Sequence, residues 1–445
     1  MSSNLFQEFD KTSSKIWKQK IQADLKGADY NDTLIWRTNE SIDVKPFYHP
    51  DGFNPKSFPQ ALYPKETWKI GEPIEISNAK EANDLAKHAI SRGAETLLFH
   101  LNEEEVNVRL LLKDLSSIPV FLISQQVLEL DFPNVRVLYD PIRHFANTGN
   151  WFHSQASDLS NAIEHVKQKK TVFVDGTFYQ NSGATIVQQL AYMIAHLNEY
   201  LNALEESVSF DFSTLEVHFR TAVGSNYFFE IAKLRALRLL WQSLSSAYSI
   251  QKSCHISATP GFRNKSIYDY NVNMLRTTTE CMSAILGGAD TVYNLPYDAL
   301  YHKSNEFGNR ISRNQLLILK HESYFDKVKN AAEGAYYIET LTNELANKAL
   351  DIFKSIESAG GMIKQLMEGT IQRKIKESAA LEQEQFDSGN LVLLGVNTFP
   401  NERDKMKGNL EINPFMEIKK RKTLIEPIIE KRLSEQLEKS RLNEE

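Results

Sequence analysis

From about residue 74 to residue 396, short apolar runs alternate with longer segments of helical spacing, and this pattern restricts the fold more than any other feature of the chain. The runs are Glu95–Leu101, Pro119–Ser124, Val135–Tyr139, Thr171–Asp175, Leu215–Arg220, Cys254–Ala258, Asp290–Asn294 and Leu391–Val396, each rich in β-branched, leucine or aromatic residues. Between them, apolar residues recur at three- and four-residue intervals over Ala79–Ser91, Glu104–Leu115, Asp158–Lys167, Gly183–Leu204, Tyr227–Ala247 and Asn271–Leu286. Strands separated by helices must run parallel, because a parallel pair needs a long crossover. Eight such units predict an α/β chain folded as a (β/α)8 barrel. The interval between the last two runs is long, so residues 311–384 are expected to add a helical excursion. With 445 residues, 42% of them hydrophobic, the chain can bury a large core.

The flanks differ from this middle. Phe6, Phe9, Ile16, Trp17, Ile21 and Leu25 have amphipathic helical spacing, and Tyr30–Pro64 is aperiodic but rich in Pro, Asp, Asn and aromatics. This predicts a helical and extended arm, residues 1–73, that either lies against another surface or packs only on its own domain. Residues 74–400 are expected to form the barrel. Residues 401–445 are expected to form a charged tail, with a solvated helix after Pro427. Gly360-Gly361 should break the excursion into two helices.

Composition removes several functions. Lys plus Arg number 51 and Asp plus Glu 57, so the formal charge is 51 − 57 = −6, which does not suit a nucleic-acid-binding surface. No apolar stretch is long enough to span a membrane, and the first twenty residues lack the apolar segment of a secretory signal. Two distant cysteines, Cys254 and Cys281, make neither a disulfide framework nor a zinc site and suit the cytoplasm. Both lie in apolar runs, where an inert, packed thiol is expected. There is no HxxxH, HExxH, GxSxG, GxxxxGK[ST] or GxGxxG pattern. Zinc hydrolysis, the nucleophile-elbow hydrolases and the common phosphate loops are therefore not indicated.

In a (β/α)8 barrel, function sits at the C-terminal ends of the strands. The candidates there are Asp175, Arg220, His255, Thr259 and Asn294. Each also has a plain structural reading. Asp175 and Arg220 could form an ion pair, and His255 could face away from the axis, since neighbours on a strand point opposite ways. In the helix Tyr227–Ala247 the apolar positions Phe228, Ile231, Leu234, Leu237 and Trp241 should face the barrel, with Glu230 and Lys233 paired on the other side.

The stretches "VGSNYFFEIAKLRALRLLW", "YDYNVNMLRTTTECMSAILGGADTV" and "IESAGGMIKQLMEGTIQRKIKESAALEQEQFDSGNLVLLGVNTF" resemble the methylmalonyl-CoA mutase family. So do "VDGTFYQNSGATIVQQLAYMIAHLNEYL" and "WKQKIQADLKGADYNDTLIWRTNESIDVKPFY", and the resemblance runs from about Trp17 to Pro400. It implies an acyl-CoA-binding (β/α)8 barrel, an N-terminal arm that wraps a partner, and a C-terminal cobalamin-binding domain. The implied reaction is the radical rearrangement of methylmalonyl-CoA to succinyl-CoA with adenosylcobalamin.

The chain departs from the family pattern in three places. The family's DxHxxG loop, whose histidine ligates cobalt, does not occur. Alignment of Thr259-Pro260-Gly261-Phe262 with the family's RxHxQTSGW motif puts Ile256 at the thioester-contacting histidine and Ala258 at the glutamine. The RPWTxRQYAGF segment, which follows the acyl-CoA tail, corresponds to "KETWKIGEPI". The expectation is a small (β), non-catalytic subunit of a heterodimeric methylmalonyl-CoA mutase. It binds no cofactor or metal itself, and a large partner subunit carries adenosylcobalamin. The competing readings are the barrel half of a split acyl-CoA mutase, completed by a separate cobalamin protein, and an accessory chain for another acyl-CoA such as isobutyryl-CoA or ethylmalonyl-CoA.

Overall fold

The computed structural model describes residues 8, 10–52, 67–101, 106–128, 130, 132–207, 210–416 and 421–445. Eight parallel strands form a nearly closed (β/α)8 barrel: β1 Lys69–Ile74, β2 Thr96–Leu101, β3 Val120–Ser124, β4 Val135–Tyr139, β5 Thr171–Asp175, β6 Glu216–Val223, β7 His255–Pro260 and β8 Thr291–Tyr293. The ladder runs β4-β3-β2-β1-β8-β7-β6-β5. The strands are covered on both faces, which is why their sequences read as continuous apolar runs. Their outer side chains, including Ile70, Val172, Val174, Val217, Phe219, Ile256, Ala258 and Val292, belong to the main core with the surrounding helices. Leu98, Phe121, Leu138, Phe173 and Tyr293 form a separate apolar cluster.

Helix boundaries follow local chemistry. Asn78 caps Ala79–Ser91, Ser154 caps Gln155–Lys169, and Thr185 with Gln188 forms a capping box on Ile186–Glu206. Gly360 and Gly361 adopt φ of +101° and +90° between the helices Tyr336–Ser358 and Met362–Met367, a break that L-residues resist. Only Val108–Leu111 is helical within the stretch expected from Glu104 to Leu115, whose first two residues lie outside the described residues. The same holds for Phe6, Phe9 and residues 53–66 of the arm. The described arm contains the helix Ser14–Asp24, a short helix Tyr30–Leu34 and an antiparallel pairing of Trp36–Arg37 with Asp43–Val44.

One expected strand is replaced by another. Leu391–Val396 makes no ladder; it is a tight loop in which Asn397 Oδ1 accepts from Leu393 N at 2.7 Å, with a single bridge between Leu394 and Thr398. Its apolar side chains Leu393 and Val396 are buried in a local cluster with Phe386 and Leu433. The place in the barrel is taken by Lys69–Ile74, part of the "KETWKIGEPI" stretch, so the barrel starts before residue 74. Lys, Gly, Glu and Pro conceal this strand in the sequence. Its apolar character is supplied by Trp68, Ile70 and Ile74, all buried.

Two further expectations need correction. Phe228 is 49% exposed, whereas Glu230 and Lys233 form a 2.5 Å ion pair that is buried rather than turned to solvent. The Lys233 ammonium also donates to the carbonyl of Ala222 at the end of β6, which fixes that face of the helix inward. The tail is helical only at its end, after an extended segment. Residues 421–433 run as an extended strap over the C-terminal loops, with backbone bonds from Ile425 to Gly149, Ile428 to Ala146, Lys431 to Asn181 and Leu433 to Arg263. The closing helix Glu435–Glu444 is tied down by a buried Arg432–Glu438 pair at 2.6 Å.

The barrel has one seam. β4 and β5 share no ladder. There the Val137 carbonyl meets His165 Nε2 at 3.1 Å, and burial keeps that imidazole neutral, so the ring N–H donates. At the top of the seam, Asp175 N donates to Asp140 Oδ2 at 2.8 Å. Among the described residues, no helix is long and apolar enough to cross a membrane.

Gly71 of β1 is required by its neighbour across β8: a Cβ there would lie 2.3 Å from the Tyr293 ring. Gly71→Ala is expected to cost about 1–3 kcal/mol. Urea unfolding should show a lower midpoint with an unchanged slope.

Candidate functional site

The C-terminal ends of the strands surround a cavity of about 610 Å³, lined among others by His100, Arg143, Asn181, Arg220, Thr259, Asn294, His302 and Glu430. Of the five sequence candidates, Arg220, Thr259 and Asn294 line it, and Asp175 lies just beneath, bonded to Arg220. His255 does not belong to the mouth. It is the first residue of β7 and so sits at the opposite end of the barrel, where its ring lies 4.4 Å from that of His218 and its Nε2 lies 3.3 Å from Thr291 Oγ1.

The polar centre of the mouth is Asp175. Its Oδ2 faces Arg220 at 3.1 Å and Arg143 at 3.2 Å, and its Oδ1 accepts from the backbone and hydroxyl of Thr177 at 3.1 and 2.6 Å. Complete burial would raise this carboxyl, but the two guanidiniums and the Thr177 bonds outweigh it and hold the group down at about 2. Asp140 stands beside it as the cap of helix Pro141–Thr148, accepting from His196 Nε2 and Tyr200 Oη, each at 2.8 Å. Sequence reading missed Arg143, Asp140, His196 and Glu430. The dipeptide Asp140-Pro141 is a helix-start signal that would have located the first two.

Asn294 is fully engaged by its own chain: it donates to Ser312 O and Gln315 Oε1, both at 2.9 Å, and accepts from Leu295 N. His100 is pushed down to about 3, first by burial and then by Arg220, so it stays neutral at any ordinary pH. Burial pushes the Cys254 thiol up to about 12 and also raises Cys281 well above the usual thiol range, which leaves both as inert thiols. Among the described residues no group of three His, Cys, Asp or Glu side chains could hold a metal.

Below the mouth the barrel axis is filled. The ring of Phe121 on β3 lies 4.9 Å from His218 on β6 and 5.7 Å from His255 on β7, and Phe173 on β5 lies 5.4 Å from His218. β6 and β7 are not neighbours of β3 in the ladder, so the two Phe121 contacts cross the barrel, whereas Phe173 and His218 are paired across adjacent strands. His218 Nε2 meets Ser257 Oγ at 2.9 Å, and burial, then His255 and Arg220, hold the imidazole neutral. Ile256 and Ala258, the positions that the resemblance equates with substrate-contacting residues, are buried in the outer core.

A family model described as methylmalonyl-CoA mutase matches residues 140–444. The methylmalonyl-CoA mutase small subunit of Porphyromonas gingivalis is 33% identical over 440 residues, covering 89% of this chain and 71% of that one. The chain belongs to the methylmalonyl-CoA mutase family. The small subunit from Streptomyces virginiae is 34% identical over 269 residues, covering 59% of this chain and 43% of that one. The methylmalonyl-CoA mutase of Rhizobium meliloti is 28% identical over 473 residues, covering 90% of this chain and 65% of that one. The chain thus spans less than two thirds of the Rhizobium relative.

Two outcomes follow from this geometry. Asp175→Asn leaves two arginines without their shared carboxylate and is expected to cost about 3–5 kcal/mol in thermal or urea unfolding. The buried histidines predict acid sensitivity. Folded His100 and His218 stay neutral while their unfolded counterparts take up protons below about pH 6.5. Stability is therefore complete above that pH and falls below it, by about 1.4 kcal/mol per pH unit for each such histidine. For His100 the fall continues to its folded value of about 3. His218→Gln should remove one histidine's share of the slope between pH 6 and 4, read from urea midpoints.

Proposed function

We propose that this chain is the small, non-catalytic subunit of a heterodimeric, adenosylcobalamin-dependent methylmalonyl-CoA mutase. It supports a larger subunit that binds substrate and cofactor and converts methylmalonyl-CoA to succinyl-CoA. Two relatives carry the name small subunit, and the family supplies the reaction class. The observation that carries the non-catalytic reading is the ring contact across the barrel axis. An acyl-CoA has a long, narrow arm, and here the axis that could admit it is occupied by Phe121, Phe173, His218 and His255.

The mouth does not suit adenosylcobalamin. Its volume of about 610 Å³ is that of a pocket for a drug-sized molecule, too small for a corrin ring with its nucleotide arm. Its two histidines are also committed. His100 is buried and neutral beside Arg220, and His302 Nδ1 lies 3.3 Å from Asp298. No step of the rearrangement is therefore assigned to this chain's residues. The filled axis also speaks against a barrel that needs only a separate cobalamin protein.

The arm supports a role in assembly. Helix Ser14–Asp24 buries none of its residues, and Ile16 and Trp17 stay 53% and 47% exposed, with Trp17 stacked 4.9 Å from Phe47. Apolar side chains held in order but left open suit a surface covered by the large subunit. A permanent complex of this kind is expected to bury more than about 2,000 Å².

The purified chain, mixed with methylmalonyl-CoA and adenosylcobalamin, should give no turnover and no cobalamin spectrum after gel filtration. Co-expressed with a large family member that has a cobalamin-binding domain, it should elute in an active one-to-one complex. Turnover by the chain alone, or with only a separate cobalamin protein added, would refute the reading.

A further inference from the structure

The strap over the barrel mouth places one acidic side chain inside the cavity. Glu430 lies between Ile428, whose N–H donates to Ala146 O at 2.8 Å, and Lys431, whose N–H donates to Asn181 O at 3.0 Å. Arg263 adds a 2.7 Å bond to the Lys431 carbonyl, so the backbone on both sides of Glu430 is fixed. Its carboxylate accepts from Asn181 Nδ2 at 2.8 Å and faces Arg143 at 3.9 Å. The side chains of Glu430 and Arg143 are only 26% and 31% exposed.

The partners of Arg143 and of the neighbouring acids define what Glu430 meets in the cavity. Arg143 and Arg220 share the carboxylate of Asp175, and Asp140 also acts on Arg143 from below. His100 adds none, because burial keeps it neutral. Asp298 is directed elsewhere, to Asn305 at 2.8 Å and to His302. Glu430 faces Arg143 from the strap side, and the Asn181 amide gives its oxygen a donor.

We infer that Asn181 and Arg143 form a carboxylate-binding subsite in the mouth of the barrel and that Glu430 occupies it as an in-chain surrogate ligand. The ligand class is a small aliphatic carboxylate, and the native chain excludes it because the strap delivers its own. The inference concerns this chain's mouth alone and does not depend on the proposed partner.

The test is calorimetric titration of acetate and succinate into the native chain, Glu430→Ala and Glu430→Gln. The alanine variant vacates the subsite. The glutamine variant keeps the shape and the Asn181 bond while removing the charge, so it remains informative if the alanine variant does not fold. Glu430→Ala should bind at least one of the two carboxylates about tenfold more tightly than the native chain, the scale of one charge-assisted hydrogen bond. A carboxylate that binds should raise the melting temperature of either variant more than that of the native chain. Adding Arg143→Ala to Glu430→Ala should remove the gain. Equal binding by native chain and variants would overturn the inference. So would the absence of binding in folded variants, or binding that survives loss of Arg143.

Discussion

The contact between the Phe121 and His218 rings across the barrel axis is the interaction on which the rest of the structure depends. It packs the interior of the (β/α)8 barrel below the C-terminal mouth, where this architecture commonly hosts chemistry. The two rings come from β3 and β6, which the ladder does not pair, and His255 and Phe173 pack onto the same histidine. A buried imidazole is tolerable there because it remains neutral and finds Ser257 as a partner. The geometry is tight enough that β1 must carry glycine at residue 71 where the Tyr293 ring crosses it.

A barrel filled in this way still has to close, and the ladder leaves β4 and β5 unpaired. Closure at the top passes through Asp140 and Asp175. Asp140 caps a helix, holds His196 and Tyr200, and accepts the backbone N–H of Asp175. Asp175 in turn holds the guanidiniums of Arg143 and Arg220. The strap then runs from Gly149, just after the Asp140-capped helix, to Asn181 beyond β5 and Arg263 beyond β7. The loops at the C-terminal ends of the strands are thereby fastened to one another.

Much of the fold was legible in the sequence because parallel strands covered on both faces must be apolar. Seven of the eight barrel strands announce themselves in this way, and the periodicity marks the helices Ala79–Ser91 and Tyr227–Ala247 to the residue. The first strand was hidden because Lys69, Gly71, Glu72 and Pro73 interrupt its apolar character. Glu72 is tolerated only because Arg313, 241 residues away, bonds it at 2.7 Å. The opposite error arose at Leu391–Val396, where local burial against Phe386 and Leu433 imitates strand burial. The mouth was legible only in part. Asp175 and Arg220 follow from their strand ends, but His255 begins its strand and faces the far end. Glu430 reaches the cavity from the tail, a placement that no local pattern encodes.

A catalytic centre has to hold donors and acceptors ready for a group that is not yet there, and this readiness costs stability. In the mouth of this barrel several such groups are engaged by the chain itself. Asn294, a residue type suited to orient a substrate, spends its amide on Ser312 and Gln315. Asp175 is saturated by two arginines and a threonine, and its depressed ionisation fits a structural anchor better than a proton-transfer group, which would titrate nearer neutrality. The polar residues of the mouth are thus turned toward one another, and their bonds hold the loops above the strands in place.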